Sequence, residues 1–333
     1  MPVSLAYLEQ CSNETGYSVA TLEKVTRLGE LASEIGRHPL LGSSLALKGG
    51  TALNLCFGSP TRMSIDLDYN YIGSADREQM LANRPALEDA VKKLAERLGY
   101  RVQRSAEAFA ARKTYGIYRS VLGPDDRVEV DLTFLWRTPL ADVTDAEMWQ
   151  PGELDRPRTT VVSLEELCVG KFLAMLDRAA PRDAWDVGRL PSIAAATLSS
   201  KSFRKMFIAM SAILDHPVNS YGHKRFEDQL TPRVVEGQLF PMLAIDNKPE
   251  ADELVKQAWN VLVPFLELTP PESEYVSALH RGELHPDLLF PDDETQSELV
   301  SNHPAVRWKL ENVRRHLDGR RAAKKKIDNG EGA

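Results

Sequence analysis

Several hallmarks of common protein classes are missing from this 333-residue chain. No uninterrupted apolar stretch approaches the roughly 20 residues that span a bilayer, so no membrane segment is expected. The opening Met-Pro-Val-Ser-Leu-Ala has no basic region followed by an apolar core, so no signal peptide is expected either. Cysteine is sparse: Cys11, Cys56 and Cys168 are scattered, sit among apolar neighbours and form no metal-like pair. They read as buried free thiols, which suits a reducing cytoplasm. The seven histidines make no H-x-x-x-H pair. A P-loop lysine-serine pair, a nucleophile elbow and a Rossmann glycine pattern are all absent, which sets aside the enzymes built on those motifs.

What remains is an ordinary globular composition, 43% apolar and 27% charged. The length suffices for two domains or one large bilobed one with an ample core. A net charge of −7 argues against a nucleic-acid partner only if charge is spread evenly, and it is not. Nine Lys or Arg residues lie between Arg307 and Lys326 against Glu311 and Asp318, whereas Asp287 to Glu298 holds five acids and no base. Either a basic C-terminal face or a solvated helix with a basic tail fits this run.

Periodicity divides the chain. Residues 20–35 and 84–98 place apolar side chains on one face of a helix. Residues 101–120, rich in Tyr and Ile, suggest one or two strands, and Gly123-Pro-Asp-Asp126 is a turn signal. Val128 to Phe134 alternates as a half-buried strand, and 139–160, with Pro139, Pro151 and Pro157, reads as a connector. From Ser163 the pattern is helical: Ser163 and Glu166 suggest a capping box, and helices are expected at 202–214, 250–267 and 304–318. Trp308 reads as packing and His303, before Pro304, as a helix-entry residue. The expected division is 1–155, a mixed sheet with helices, and 156–333, a helical lobe.

The most informative stretch is Lys48-Gly49-Gly50-Thr51-Ala-Leu followed by Arg62-Met-Ser64-Ile-Asp66-Leu-Asp68. A short apolar segment, Ser44 to Leu47, runs into a Gly-Gly turn, and Thr51 opens a helix-like run to Phe57. Ser64 to Tyr69 alternates strictly, putting Ile65, Leu67 and Tyr69 on one strand face and Ser64, Asp66 and Asp68 on the other. Two carboxylates side by side repel each other unless a cation lies between them. Hard oxygens of this kind hold Mg²⁺ or Mn²⁺, with substrate phosphates completing the shell. The glycine turn offers backbone N–H groups and a positive helix end to phosphate oxygens. Lys48, at the strand end, is placed to touch phosphate, and Arg62 to assist.

Glu129 and Asp131 share the polar face of the Val128–Phe134 strand. Lys171 is the only charge from Leu167 to Leu176, so its ammonium needs an anionic partner. That partner is either a structural carboxylate, Asp183 or Asp186, or a triphosphate. Asp183 and Asp186, three residues apart, share a helix face, and the residues alone do not choose between them.

Gly49-Gly50-Thr51 with Asp66-x-Asp68 resembles the first signature of the polymerase-beta-like nucleotidyltransferases. Within that superfamily, Lys48-Gly-Gly-Thr-Ala-Leu with Ser64-x-Asp-x-Asp resembles the AbiEii/MenT family of type IV toxin–antitoxin systems. Lys171-x6-Arg178-x3-Arg182-Asp183-x2-Asp186 and the closing His303-Pro-Ala-Val-Arg-Trp308 resemble later blocks of the same family.

The resemblance implies a bilobed α/β (α+β) fold, a nucleotidyltransferase core with a mixed sheet plus a helical C-terminal lobe, with NTP and Mg²⁺ in the cleft. It implies transfer of NMP to an acceptor hydroxyl of RNA, the 3′ end of tRNA for much of the family, and a cognate antitoxin as partner. Asp66 and Asp68 would hold metal, a third carboxylate is Asp131 with Glu129 as alternative, and Lys171 and Asp186 join the catalytic set. Lys48, Gly49, Gly50, Thr51, Arg62 and Ser64 would meet the nucleotide. Some antitoxins of the family act as kinases on a hydroxyl in this motif, which makes Ser64 a candidate control point. Two alternatives stay open: NMP transfer to a protein or small molecule, and a silent nucleotide-binding or interaction module.

Overall fold

Seven strands among the described residues pair into one mixed sheet, and alternation of buried with less buried residues is clearest in its two longest strands. The computed structural model describes residues 3–328 apart from 107 and 109, and side chains as far as residue 319. The strands are β1 (Leu45–Lys48), β2 (Asp66–Tyr71), β3 (Arg101–Arg104), β4 (Ala111–Arg119), β5 (Asp125–Thr133), β6 (Thr144–Glu147) and β7 (Arg158–Val161), in the order β3-β4-β5-β2-β1-β7-β6. Pairing is antiparallel except for β2 with β5 and β1 with β7. The parallel pairs need long crossovers, which the intervening helices supply.

The helix Val19–Arg37 is capped by Ser18 and buries Leu22, Val25, Leu28, Leu31, Ala32 and Ile35, packing on β2, β5 and β7. The expected 84–98 helix begins earlier, at Arg77, because Asp76 caps it by accepting from the Gln79 N–H at 2.8 Å. Pro85 lies inside this helix.

The second half is helical, and the helix Leu164–Arg178 is its pivot. Phe172 on that helix meets Phe203, Phe207 and Phe265 edge-on, with ring centroids 5.4, 5.2 and 5.1 Å away. Such T-shaped pairs contribute about 0.5–1.5 kcal/mol each beyond burial, so the position next to Lys171 is firmly anchored. The same helix also packs against Gly49–Cys56, which joins the two halves at the glycine turn.

Several expectations are corrected. The connector 139–160 holds β6 and the start of β7, and β7 lies past residue 155 yet pairs with β1 through Leu47 and Val161. The capping box is only half formed: Ser163 Oγ accepts from the Glu166 N–H at 3.1 Å, but the Glu166 carboxylate turns to other partners. Trp308 is 43% exposed rather than packed. The last helix runs Pro304–Asp328, and Arg320 and Arg321 of the basic run lie outside the described side chains. Cys11, Cys56 and Cys168 are free thiols, and burial pushes Cys56 and Cys168 up to about 12. Among the described residues no helix is long and apolar enough to cross a membrane.

Candidate active site

Sheet register lines up four charges. Lys48 of β1 lies opposite Asp68 of β2, Asp68 opposite Asp131 of β5, and Asp131 opposite Lys113 of β4. One step along, Asp66 is level with Glu129. Directly opposed residues on neighbouring strands point to the same face, so four carboxylates from two parallel strands share one patch. Burial raises the pKa of Asp66, and Asp68 beside it raises it further, against Arg182. Burial likewise raises Asp131, opposed by Lys113. Asp131 Oδ1 is buried and has no hydrogen-bond partner.

The strand carrying the acid pair starts two residues later than its alternation suggests. Ser64 and Ile65 precede β2, whose four-residue partner β1 pairs only from Asp68 to Tyr71. Ser64 is 5% exposed and lines the cleft from the preceding loop, which the Met63 N–H anchors on the Met242 carbonyl at 2.7 Å.

Both glycines of the turn are required by close approach. Gly49 has φ +72°, and a Cβ there would meet Asp68 Oδ2 at 2.7 Å. A Cβ on Gly50 would meet Arg62 Nη2 at 2.6 Å. Thr51 departs from the expected nucleotide contact: it is fully buried, and its hydroxyl donates to the Asp66 carbonyl, tying the helix Gly49–Cys56 to the strand of the acids.

Behind the acid patch lies a second, buried cluster. Asp186 accepts from Arg62 Nε at 2.8 Å and Nη2 at 2.7 Å, from Asn54 Nδ2 at 3.0 Å, and pairs with Lys171 Nζ at 2.6 Å. Lys171 also reaches Asp183 at 3.5 Å, which Arg178 grips at 2.6 and 3.0 Å. Burial alone would raise the Asp186 carboxyl, but Arg62 and Lys171 outweigh it and hold it well below the usual carboxylate range. Asp186 therefore has no oxygen to offer a substrate; it positions Lys171 and Arg62. Of the two acids, Asp183 lines the cleft and Asp186 is closed off behind it.

Two cations of the cleft are free of such bonds. The Lys48 and Arg182 side chains line it and make no hydrogen bond or ion pair among the described residues. Arg182 was passed over in the sequence because its motif drew attention to the neighbouring acids. Lys113 was missed too: it lies in a segment of irregular pattern, and only the β4–β5 register reveals that it reaches Glu129, with Asp131 Oδ2 at 3.7 Å. Glu129 is thus occupied by Lys113, whereas Asp131 keeps an oxygen open. Glu166 is a further surprise. It accepts from Asn70 Nδ2 at 3.1 Å and the Leu140 N–H at 2.8 Å, and burial raises it to about 7.

Lys48, the glycine turn, Asp66, Asp68, Asp131, Lys171 and Arg182 line one cavity of about 560 Å³ between the sheet and the helix Leu164–Arg178. A larger cavity, about 980 Å³, opens at the β6–β7 edge but contains neither the glycine turn nor the acid row. Among the described residues no three His, Cys, Asp or Glu side chains form a ready-made metal cage. Mg²⁺ does not need one, since it keeps waters and is bound by one or two carboxylates plus phosphates. Asp66, Asp68 and the partnerless Asp131 oxygen supply hard donors of the right chemistry, so the residues fit a divalent ion.

A mixed sheet presenting paired acids beside a glycine turn defines the nucleotidyltransferase class. A family model described as nucleotidyl transferase AbiEii toxin, type IV TA system, matches residues 35–312. The chain belongs to that family and is a nucleotidyltransferase of the toxin side of a type IV toxin–antitoxin system. Among solved structures it is similar in fold to MenT4, a nucleotidyltransferase toxin from Mycobacterium tuberculosis H37Rv, with 18% identity, a TM-score of 0.60, and coverage of 91% of this chain and 99% of that one. Comparison with curated proteins returns no match.

Proposed function

We propose that this protein, working in the cytoplasm with a divalent ion, Mg²⁺ or Mn²⁺, transfers NMP from an NTP to the 3′ end of an RNA, tRNA in particular. The observation that carries the reading is the register of β2 with β5, which sets Asp66 and Asp68 beside Glu129 and Asp131, with Asp66, Asp68 and Asp131 lining the same cleft as Lys48 and Arg182. Asp66 and Asp68 would hold the ion, which would supply positive charge to offset that developing at the reacting phosphorus. Lys48, Arg182 and the turn at Gly49 and Gly50 take the phosphates, while Lys171 and Arg62 supply positive field from behind, fixed by Asp186. The acceptor oxygen bonds to the α-phosphorus as the bond to the bridging oxygen breaks and pyrophosphate leaves. Asp131, with one oxygen unpartnered, takes the hydroxyl proton.

The two-part division, a sheet-bearing core and a helical part completing the cleft, belongs to the same proposal, with β7 counted to the core. So does control at Ser64: a phosphate there would add about −1.5 to −2 charge beside Asp66 and Asp68. Because Ser64 is 5% exposed, modification requires the loop before β2 to open.

Incubation of the purified protein with total RNA and each α-labelled NTP in turn tests the reading. Label on RNA is the expected result, on tRNA in particular. Label on protein or a metabolite instead moves the acceptor to another class, and no metal-dependent turnover at all sinks the proposal.

A further inference from the structure

The cleft lined by the charged groups also carries apolar residues, and these have no part in the chemistry described so far. Among the described residues that line it, Trp136 is the only aromatic one. It is half-buried and lies five residues past Asp131 in the chain. Even fully extended, that stretch reaches at most about 18 Å, a separation that the sugar and triphosphate of a nucleotide can bridge. Across the rest of the apolar lining come Leu167, Gly170 and Ala174 of the lysine helix, and Ile213 and Leu214.

The indole is braced. The His303 ring meets it edge-on, with centroids 5.2 Å apart at 75°. His303 is fully buried, and its Nδ1 accepts from the Ala305 N–H at 3.3 Å. Burial lowers the imidazole to about 4, so it is neutral at physiological pH and packs as an aromatic wall. The last helix, which His303 opens, also packs on Ser211–Ile213, and Lys309 pairs with Asp215. One helix start therefore supports both Trp136 and the Ile213–Leu214 wall. Gly170 leaves a gap: a Cβ there would meet nothing within 4 Å.

We propose that Trp136 is the platform on which the NTP nucleobase stacks, with the gap at Gly170 leaving room for the base and His303 acting as a positioning residue for the indole. The inference rests on the nucleotidyl-transfer reading and deepens it by placing the base. Stacking is sequence-tolerant because every base has a π-face, so this platform confers affinity for nucleotides in general over free phosphates.

Binding separates the two ideas. Calorimetry with Mg²⁺ would measure ATP and GTP analogues carrying an unreactive α–β bridge, and inorganic tripolyphosphate, on wild type, Trp136→Ala, Trp136→Phe and Gly170→Leu. Trp136→Ala should weaken both analogues roughly tenfold or more and leave tripolyphosphate unchanged, while Trp136→Phe stays close to wild type. Gly170→Leu should fill the gap and weaken the analogues at undiminished melting temperature, which keeps the test open if Trp136→Ala fails to fold. Analogue binding unchanged in Trp136→Ala or in Gly170→Leu, or tripolyphosphate weakened by the same factor as the analogues, overturns the platform alone. A wild-type protein that binds neither probe overturns the nucleotidyl-transfer reading and the platform with it.

Discussion

The acid row of β2 and β5 and the cluster around Asp186 hold the same kind of side chain in opposite conditions. In the row, Asp66, Asp68 and Asp131 are half-buried among like charges, burial and neighbours raise Asp66 and Asp131, and one oxygen of Asp131 has no partner. Around Asp186, two cations and an amide saturate the carboxylate, and its proton affinity falls. A carboxylate short of partners is ready for a cation from solution; one already saturated only fixes the cations it has. Asp183 lines the same cleft yet is held by Arg178 and Lys171, so lining the cleft does not by itself separate these roles, and the count of unspent lone pairs does.

The sharpest way to break the comparison is to neutralise each side. Asp66→Ala or Asp68→Ala should lower transfer about a thousandfold or more, since the metal site supplies several kcal/mol. Metal-free thermal stability should hold or rise, because repulsion is relieved. Normal label incorporation by both variants would remove the metal assignment.

Asp186→Asn should do the reverse, costing about 3–5 kcal/mol in urea unfolding because Arg62 is left buried without its charge partner. A midpoint like that of wild type would mean that the cluster is not saturated as described. Lys171→Met removes a cation that Asp186 can spare, since Arg62 and Asn54 remain. About 1–3 kcal/mol of stability is expected to go, with a larger effect on NTP affinity than on folding. Full retention of NTP affinity would confine Lys171 to structure.

Glu166 belongs to neither group and tests whether burial alone sets proton affinity. Its folded pKa of about 7 lies above the ordinary 4.5, so the folded state holds a proton that the unfolded state loses first. Stability should therefore fall as pH rises from about 4.5 to about 7, by about 3 kcal/mol. Glu166→Gln should flatten that part of the stability profile relative to wild type. Parallel profiles for the two proteins would show that Glu166 does not titrate there.

The smallest effect belongs to the last helix. Arg314 donates to the Gly282 carbonyl and Arg315 pairs with Glu311, so neither is wholly free for RNA. Replacing both with Gln should raise the acceptor KM about two- to threefold and lower the salt dependence of binding by about one to two counterions. Unchanged salt dependence would leave this helix out of acceptor binding.

Much of the row was legible in the chain. Alternation in Asp66–Tyr69 and Val128–Phe134 fixed which residues share a face, and the glycine turn marked where phosphate could approach. The starts of β2 and of the Arg77–Arg97 helix were misplaced because a strand's limits depend on its partner and the helix's first turns, capped by Asp76, precede its apolar periodicity. β7 was hidden because its parallel pairing with β1 leaves no local signal and Pro157 precedes it. The resemblance put Thr51 with the nucleotide, but a hydroxyl at a helix start is equally suited to a carbonyl of its own chain, and that of Asp66 takes it.

By itself, the sequence determined the local chemistry: an acid pair two residues apart, a Gly-Gly turn, and a lone lysine that had to find an anion. These follow from periods of two and of 3.6 residues, which act over a few positions. Only the tertiary structure decided how the charges are apportioned. Whether Lys171 meets Asp183 or Asp186, whether Arg62 is spent or free, and that Lys113 closes the acid row all depend on separate elements, up to 124 residues apart for Arg62 and Asp186, coming within about 4 Å of each other, and electrostatic energy at that distance is set by burial and geometry rather than by residue type.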